Sequence, residues 1–401
     1  MISIKQLAEL CIKSQSKIVL LVMDGLGGLA DPRTGKTELE SAHTPNLDRL
    51  AGMSICGLAQ PISAGITPGS GPGHLALFGY NPLDFQIGRG VLEALGIDFD
   101  IGPYDISARG NFCTIDAGGI ITDRRAGRIS TARCAELCEL LNRIDMGDIQ
   151  IFVRPVREHR FLLVFRHSSL SGELSDTDPQ RTGVYPLECR ATVEIAERTA
   201  TLVNEFIQKA TDILRPHYPA NMLLLRGFSR IPDIPRMPDI YLLNPAALAG
   251  YPMYRGLAKL VGMKVLPPFD DINNALDILE DAYHDYDYFF IHFKSTDSAG
   301  EDGDFRRKIK AIESVDKIIP EILNLQPDVF MVTADHSTPA VMRSHSWHSV
   351  PFMLHSRYCR ADRVQHFTEN ECAFGGLGVF PSRNIMALAM ANALKLNKYG
   401  A

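Results

Sequence analysis

Three runs of mostly apolar residues, far apart in the chain, constrain the fold more than any other feature of the sequence. They are Lys17-Ile-Val-Leu-Leu-Val-Met23, Tyr288-Phe-Phe-Ile-His-Phe293 and Val329-Phe-Met-Val-Thr333. Short continuous apolar runs are typical of strands that are buried on both faces, as in parallel sheets. Because strands and helical stretches alternate along the chain, the sequence predicts an α/β fold with a mixed, mostly parallel sheet flanked by helices.

Each of these runs leads into side chains that commonly bind metals. Asp24 follows the first run, Asp297 follows the second, and the pair Asp335-His336 follows the third. The carboxyl ends of parallel strands lie at one edge of a sheet, so we expect these groups to converge there. Crowded carboxylates raise one another's pKa unless cations separate them, and oxygen with imidazole donors suits Mn²⁺, Zn²⁺ or Mg²⁺. The alternative is that each aspartate only opens a turn.

A glycine-rich segment, Thr67-Pro-Gly-Ser-Gly-Pro-Gly-His74, places Ser70 before an apolar helix. A helix N-terminus offers unpaired N–H groups and a positive dipole end, which favour a phosphate or an oxyanion. We therefore predict that Ser70 is a nucleophile at the same sheet edge. The alternative is a turn whose serine only caps the helix.

The pattern changes between about residues 105 and 218. Short strand-like runs there are separated by polar turns, and two helical stretches, 132–144 and 192–210, lie among them. This order predicts a smaller α+β domain inserted into the larger one. We place the larger, metal-binding domain at 1–104 and 219–401 and the inserted substrate or phosphotransfer domain at 105–218.

Composition limits the partners. The net charge of −6 and the lack of a basic run argue against nucleic acid. No apolar run approaches the roughly 20 residues of a membrane span, and the first 17 residues lack the core of a signal peptide, so we expect a soluble, cytoplasmic protein without a membrane partner. Eight cysteines without a C-x-x-C pair give little support to thiolate zinc sites or disulfides.

Several motifs carry a resemblance to a known family. They include Asp24-Gly-Leu-Gly-Gly28, His43-Thr-Pro-Asn-Leu-Asp-Arg-Leu-Ala51, Thr67-Pro-Gly-Ser70, Ala334-Asp-His-Ser-Thr-Pro339 and Gly88-Arg-Gly-Val-Leu-Glu-Ala-Leu-Gly96. In order and spacing they resemble the alkaline phosphatase superfamily, and in detail its archaeal-type cofactor-independent phosphoglycerate mutases. The resemblance implies a metal-bearing α/β domain interrupted by a smaller phosphotransfer domain.

The resemblance also implies an activity, the interconversion of 3-phosphoglycerate and 2-phosphoglycerate in glycolysis and gluconeogenesis. Ser70 would accept the phosphoryl group as a phosphoserine, two divalent metals would assist, and no bisphosphoglycerate would be needed. The partner would be a small phosphorylated metabolite, and a homo-oligomer is compatible with the sequence. The implied ligands of the first metal are Asp24, Ser70, Asp335 and His336, and those of the second are Asp297, Glu301 and His345.

Glu301 departs from the family pattern, which has a histidine four residues after the aspartate. A carboxylate at this position favours Mn²⁺ or Mg²⁺ over Zn²⁺, although Zn²⁺ stays possible. The spacing to the Val-Pro at 350–351 favours His345 over His348 as a ligand. We interpret His292, on a predicted strand, as a satisfied core histidine.

Arginines in the inserted region are the candidates for holding the substrate. A glycerate phosphate carries two anionic groups, and the planar guanidinium suits both. Solvated surface ion pairs are the alternative for any one of them. The predicted substrate-binding residues are Arg109, Asn111, Asp123, Arg124, Arg125, His159 and Arg160.

Two other functions fit the same motifs. One is a metal-dependent phosphomonoesterase, or a phosphotransferase acting on another small hydroxy or amino acid such as homoserine, since one fold hosts several chemistries. The other is a non-catalytic sensor of a phosphorylated metabolite, which would not need a nucleophile such as Ser70.

Overall fold

The computed structural model describes residues 3–85, 87–269 and 271–400. Contacts divide the chain into two compact units, the larger with Met1–Gln86 and Ile234–Ala401 and the smaller with Ile87–Asp233. The predicted boundaries lay at 104/105 and 218/219 instead. The smaller unit is longer at both ends because a helix before residue 105 and a strand after residue 218 pack on its sheet.

The secondary structure follows in chain order. The first part of the larger unit contains α1 (Ile4–Ala8), β1 (Ile18–Met23), α2 (Glu38–Ser41), α3 (Pro45–Ala51), β2 (Ile55–Gln60) and α4 (Ser70–Leu77). The smaller unit contains α5 (Arg89–Gly96), β3 (Asp105–Ile115), β4 (Ile121–Asp123), α6 (Thr131–Leu141), β5 (Gln150–Arg157), β6 (Arg160–Arg166), α7 (Glu197–Leu214) and β7 (Met222–Ser229). The rest of the larger unit contains α8 (Met237–Tyr241), β8 (Pro245–Ala249), α9 (Pro252–Leu260), β9 (Lys264–Val265), α10 (Ile272–Ala282), β10 (Tyr288–Phe293), α11 (Ser295–Glu301), α12 (Phe305–Asp316), α13 (Ile319–Asn324), β11 (Val329–Thr333), β12 (Val350–Ser356), α14 (Glu369–Cys372), β13 (Val379–Pro381) and α15 (Ile385–Asn392).

An eight-stranded sheet forms the centre of the larger unit, in the order β13-β2-β12-β11-β1-β10-β8-β9. Strand β12 runs antiparallel to both of its neighbours, and the remaining pairings are parallel. The predicted mixed, mostly parallel sheet flanked by helices is confirmed. Since β1, β10 and β11 are adjacent and parallel, their carboxyl ends lie side by side.

The three central strands are buried along their whole length, which explains their continuous apolar sequences. Every residue of β1, β10 and β11 is buried. Burial of this kind excludes the apolar side chains from water and is the main favourable contribution to folding. No helix in the described ranges is long and apolar enough to cross a membrane.

The smaller unit is built on a five-stranded antiparallel sheet. Its strand order is β4-β3-β6-β5, and β7 pairs with β3. Side chains from α6 and α7 pack with one face of this sheet, including Leu137 and Phe206 against Phe161 and Phe165. Ala94 of α5 packs with the residues of the opposite face. This arrangement agrees with the predicted α+β texture, although β7 was expected in the larger domain.

Candidate active site

Ser70 is the first residue of α4, and Gly69 is its N-cap. The side chain is partly exposed, while the following turns of the helix are buried from Gly73 to Leu77. Ser70 Oγ lies 3.2 Å from His336 Nε2, although the two residues are 266 positions apart. The serine is therefore open to a ligand on one side and in contact with the strand-end residues on the other.

The first group of possible metal ligands is formed by Asp24, Asp335 and His336, all buried. His336 Nε2 lies 3.4 Å from Asp24 Oδ1 and 3.1 Å from Asp335 Oδ2. Asp335 Oδ1 accepts a hydrogen bond from the Gly25 N–H at 3.2 Å. Asp24 follows β1 and the pair Asp335-His336 follows β11, so these adjacent parallel strands bring the three side chains together.

The second group is formed by Asp297, His336 and His345. His345 Nε2 lies 3.6 Å from Asp297 Oδ1, and the rings of His336 and His345 stack with centroids 3.6 Å apart. The other ring nitrogen of His345, Nδ1, lies 2.9 Å from the Pro68 carbonyl oxygen. If Nδ1 donates to that carbonyl, the Nε2 lone pair faces the carboxylate. His336 belongs to both groups, which makes it the shared member.

Gly25 is required where the two groups meet. Its φ of +64° is unfavourable for other residues, and a Cβ there would lie 2.5 Å from Thr338 Oγ1 and 2.9 Å from Asp297 Cβ. The glycine after Asp24 therefore lets the loop approach α11 closely enough for the ligand groups to adjoin.

The unsatisfied atoms in the first group fit a divalent cation. Asp24 Oδ1 and Asp335 Oδ2 are buried and accept no well-aligned hydrogen bond from the described residues, although His336 Nε2 lies near both and His74 Nδ1 lies 3.2 Å from Asp335 Oδ2. Leaving buried carboxylate oxygens unpaired costs free energy, which a cation among them would remove. The donors in both groups are carboxylate oxygens and imidazole nitrogens, which suit Mn²⁺, Mg²⁺ or Zn²⁺.

Lys294 contributes a positive charge that the sequence interpretation missed. Its Nζ lies 3.2 Å from Asp24 Oδ2 and 2.5 Å from Asp297 Oδ2, so it bridges the two groups. Burial alone would raise the pKa of Asp24, but Lys294 and a hydrogen bond from His292 outweigh it and hold that pKa well below its usual value. Asp24 is therefore ionised at neutral pH. The signal available in the sequence was a lysine directly after the strand that leads to Asp297.

His292 and Tyr254 also contact the site. His292 Nε2 lies 2.9 Å from Asp24 Oδ2, so this histidine does more than fill the core. Its ring stacks on Tyr254 with centroids 3.8 Å apart, and Lys294 Nζ donates to the Tyr254 hydroxyl at 2.9 Å. Burial lowers the pKa of His292, which keeps the imidazole neutral. Nothing in the sequence near Tyr254 indicated this contact.

Glu301 and His348 lie outside the two groups. Glu301 Oε1 is 3.9 Å from His345 Nε2, and the Glu301 side chain is 56% exposed. His348 Nδ1 instead lies 3.0 Å from Ser346 Oγ, and its ring stacks on Trp347. His345, which the sequence spacing favoured over His348 as a ligand, is the histidine that lies beside Asp297.

The smaller unit brings several of the predicted substrate-binding residues together. Arg109 and Asn111 lie on β3, Asn111 is paired in register with Arg160 of β6, and His159 comes just before that strand. Burial and the charges of the surrounding arginines lower the pKa of His159 to about 3. The arginines responsible are Arg160, Arg109, Arg125 and Arg128.

Asn111 Oδ1, His159 Nδ1 and Arg226 Nε are among the buried polar atoms near these arginines that have no hydrogen-bond partner in the described part of the chain. Arg226 lies on β7 directly opposite Arg109 on β3, and burial together with the Arg109 charge lowers the pKa of Arg226. Arg226 was not among the predicted substrate-binding residues, and its strand was assigned to the other domain.

Several of the predicted substrate-binding residues have contacts within the protein, and one of them is Arg109, whose Nε lies 3.7 Å from Glu93 Oε1. Arg124 forms a two-point ion pair with the buried Asp178, with Nε–Oδ1 at 2.9 Å and Nη2–Oδ2 at 2.6 Å. Asp123 accepts hydrogen bonds from the N–H groups of Arg125 and Gly127 and so closes a turn. Arg125, by contrast, is exposed.

The lowered pKa of His159 predicts a dependence of stability on pH. In the unfolded state, His159 has an ordinary histidine pKa of about 6.5 and binds a proton more readily than in the folded state. The free energy of unfolding is therefore highest above that pH and decreases as the pH falls below it. We expect a loss of about 1.4 kcal/mol for each pH unit below 6.5 from this group. Replacing His159 by Asn should remove about 2 kcal/mol of the difference in unfolding free energy between pH 7 and pH 5, measured by urea denaturation.

Replacement of the exposed His43 by Asn is the control for this measurement. It should leave the pH dependence unchanged. An equal pH dependence in the wild type and the His159→Asn variant would show that His159 is not held neutral.

Comparisons with known proteins support the assignment of the fold and site to one family. Residues 51–221 match the family model described as 2,3-bisphosphoglycerate-independent phosphoglycerate mutase. A relative from Aquifex aeolicus, named "Probable 2,3-bisphosphoglycerate-independent phosphoglycerate mutase", is 49% identical and covers 98% of this chain and 99% of its own. A relative of the same name from Thermus thermophilus is 48% identical over 98% of both chains.

Two solved structures are similar along nearly the whole chain. The cofactor-independent phosphoglycerate mutase from Thermoplasma acidophilum has a TM-score of 0.70 and 31% identity, and covers 94% of this chain and 100% of its own. The PH0037 protein from Pyrococcus horikoshii has a TM-score of 0.84 and 28% identity, and covers 96% of this chain and 99% of its own. The chain therefore belongs to the family of 2,3-bisphosphoglycerate-independent phosphoglycerate mutases.

Proposed function

We propose that the protein interconverts 3-phosphoglycerate and 2-phosphoglycerate through a phosphoserine at Ser70, with two divalent metal ions and without bisphosphoglycerate. The observation that carries the proposal is the contact of Ser70 Oγ with His336, the residue shared by both groups of possible metal ligands. A nucleophilic hydroxyl beside two cation sites is the arrangement that phosphoryl transfer needs. The names of the relatives support the choice of substrate.

The larger unit would provide the nucleophile and the metal sites. Asp24, Ser70, Asp335 and His336 would hold one ion, and Asp297, His345 and Glu301 the other. A bound divalent cation supplies positive charge that favours an ionised serine hydroxyl and neutralises phosphoryl oxygens. Ser70 presents its hydroxyl at the N-terminus of α4, where the helix dipole favours the same charges. Lys294 offsets the charges of Asp24 and Asp297.

The smaller unit would hold the glycerate. A mutase must retain the alcohol while the phosphoryl group is on the enzyme, whereas a phosphatase releases it. Arg109, Arg160 and Arg125 would pair with the carboxylate and the phosphate, because guanidinium groups bind such anions through two hydrogen bonds. Asn111 and His159 would complete the subsite as neutral groups. Arg124 and Asp123 would act through the turn and the ion pair that position the cluster.

An assay without bisphosphoglycerate tests the proposal. Incubation of the purified chain with Mn²⁺ and 3-phosphoglycerate should yield 2-phosphoglycerate, and addition of 2,3-bisphosphoglycerate should not raise the rate. Loss of activity on chelation and its return with Mn²⁺ would show the metal requirement. If the chain binds Mn²⁺ and makes no 2-phosphoglycerate, the proposed mutase activity is wrong.

One observation favours a second candidate, a metal-dependent phosphomonoesterase or a phosphotransferase on another small hydroxy or amino acid. Glu301 is a carboxylate at the position where the family pattern has histidine, and it is more than half exposed. A harder ligand makes the second ion a weaker Lewis acid and could favour another acceptor. Release of inorganic phosphate from 3-phosphoglycerate faster than isomerisation would support this second function.

The role of Glu301 can be tested by metal binding. Replacing Glu301 by Ala should weaken Mn²⁺ binding by about tenfold if the carboxylate is a ligand, because ligand charge sets the affinity for hard cations. Calorimetric titration with Mn²⁺ measures this. Asp302→Ala is the matched control, since Asp302 is an exposed neighbour paired with Arg307. Equal affinities for the two variants would remove Glu301 from the ligand set.

A further inference from the structure

Thr338 lies between the two groups of possible metal ligands and contacts both. It is fully buried, and it follows His336 by two residues. Its Oγ1 lies 2.7 Å from Asp297 Oδ1 and 3.0 Å from His336 Nδ1. One hydroxyl therefore connects a residue of the second group with the residue that both groups share.

The donors and acceptors in this chain of contacts determine the position of one proton. The Thr338 hydroxyl donates to Asp297 Oδ1, since a carboxylate oxygen accepts hydrogen bonds. The Thr338 oxygen can then act as the acceptor for an N–H at His336 Nδ1. A neutral imidazole that is protonated at Nδ1 has its lone pair at Nε2. Nε2 is the atom that faces Ser70 Oγ, Asp24 and Asp335.

The backbone of Thr338 is fixed from three sides. Its N–H donates to the carbonyl oxygens of Gly25 and Gly27, at 3.2 and 3.0 Å. Its own carbonyl accepts from the buried Lys308 Nζ at 2.8 Å, and Lys308 also donates to the Gly27 carbonyl at 3.0 Å. A Cβ at Gly300 of α11 would collide with the Thr338 carbonyl. The loop after Asp24, helix α11 and helix α12 thus hold Thr338 in place.

A simpler explanation is that Thr338 only satisfies its own hydroxyl in the core. Several other buried threonines in this chain do so by donating to a backbone carbonyl, as Thr333 Oγ1 donates to Pro351 O at 2.9 Å and Thr114 Oγ1 to Pro219 O at 2.6 Å. Both contacts of the Thr338 hydroxyl are instead with side chains of the ligand groups. Its hydrogen bonds orient those side chains as well as satisfying the hydroxyl.

We propose that Thr338 is a positioning residue that holds His336 in the Nδ1-protonated form and couples the Asp297 group to the Asp24–Asp335 group. The inference rests on the proposed metal-binding role of these side chains. Groups that hydrogen-bond to a metal-binding histidine fix its tautomer and ring orientation, and their loss typically reduces metal affinity by about 10- to 100-fold.

Metal titration of three variants tests the proposal. Thr338→Val replaces the hydroxyl by a methyl group of similar size, and should weaken Mn²⁺ binding by about 10- to 100-fold. Thr338→Ser restores the hydroxyl and should bind within about threefold of the wild type. Thr333→Val removes a comparable buried hydroxyl that contacts only a backbone carbonyl, and should leave Mn²⁺ affinity unchanged. Equal affinities of Thr338→Val and the wild type would overturn the proposal.

The protonation of His336 provides a second measurement, which needs neither turnover nor metal. Two-bond ¹⁵N–¹H NMR spectra of the histidine-labelled chain, with His336 assigned from a His336→Gln variant, should show a proton on Nδ1 in the wild type. Loss of that preference in Thr338→Val supports the proposal, and a wild-type His336 protonated at Nε2 overturns it. A wild-type chain that binds no Mn²⁺ refutes the proposed function instead, and the NMR result then still decides the role of Thr338.

Discussion

Replacing Ser70 by Ala is expected to lower the rate of phosphoglycerate isomerisation by at least about 10⁴-fold. The expected loss is large because a phosphoserine mechanism has no other route once the nucleophilic oxygen is removed. The binding of substrate and metal should be affected far less, since the arginines of the smaller unit and the remaining ligands stay in place. Steady-state assays with Mn²⁺ and 3-phosphoglycerate measure the rate.

Mass spectrometry distinguishes a lost nucleophile from a damaged fold. The wild-type chain mixed with substrate and stopped rapidly should carry one phosphoryl group on the peptide that contains Ser70, and the Ser70→Ala variant should carry none. Ser54→Ala is the matched control, because Ser54 is buried and its hydroxyl donates to the Leu50 carbonyl away from the site. Substantial isomerisation by Ser70→Ala, or a phosphoryl group on another residue, would exclude Ser70 as the nucleophile.

The sheet of the larger unit could be predicted because its central strands are buried on both faces. Nearly continuous apolar sequence is the direct consequence of that burial, as in Ile18–Met23 of β1. The strand ends could be predicted too, and with them the placing of Asp24 and Asp335. The distance between these two residues could not be predicted, because it depends on the strand order, in which β1 and β11 are neighbours.

The side chains that support the ligands could not be predicted in the same way. Thr338, His292 and Tyr254 contact the site through packing that joins residues far apart in sequence, and no spacing rule indicates such contacts. A histidine on a buried strand is most simply explained as part of the core. Only the position of His292 beside Val22 on β1, one residue before the end of that strand, brings it within reach of Asp24.

The cationic cluster of the smaller unit shows how a domain boundary affects the prediction of a site. Residues 219 onwards were assigned from the sequence to the larger domain, which placed Arg226 and Arg109 in different domains. In the structure, β7 pairs with β3, and the two arginines lie side by side. The antiparallel pairing of β7 could not be inferred from its apolar sequence, which also fits a buried parallel strand. Similarly, the pairing of Arg124 with Asp178 depends on a loop whose path the sequence does not specify.

Replacing Asp335 by Asn is expected to lower the isomerisation rate by about 10³-fold and to weaken Mn²⁺ binding by about 100-fold. The change keeps the size of the side chain and removes its negative charge. In the variant, the amide oxygen of Asn can accept the hydrogen bond from the Gly25 N–H that Asp335 Oδ1 accepts in the wild type. The loop that contains Gly25 should therefore keep its conformation. The effect should therefore come from the lost negative charge, because Asp335 Oδ2 lies 3.1 Å from His336 Nε2 and 3.2 Å from His74 Nδ1.

Asp316→Asn is the matched control for this change. Asp316 is also a buried aspartate of the larger unit, but it accepts hydrogen bonds from the N–H groups of Asn46 and Leu47 and takes no part in the ligand groups. Its replacement should reduce the free energy of unfolding without changing Mn²⁺ affinity. If Asp335→Asn retains Mn²⁺ affinity and turnover while Asp316→Asn lowers stability as expected, the buried carboxylate at the end of β11 serves the fold and does not bind the metal. The proposed first metal site would then need a different set of ligands.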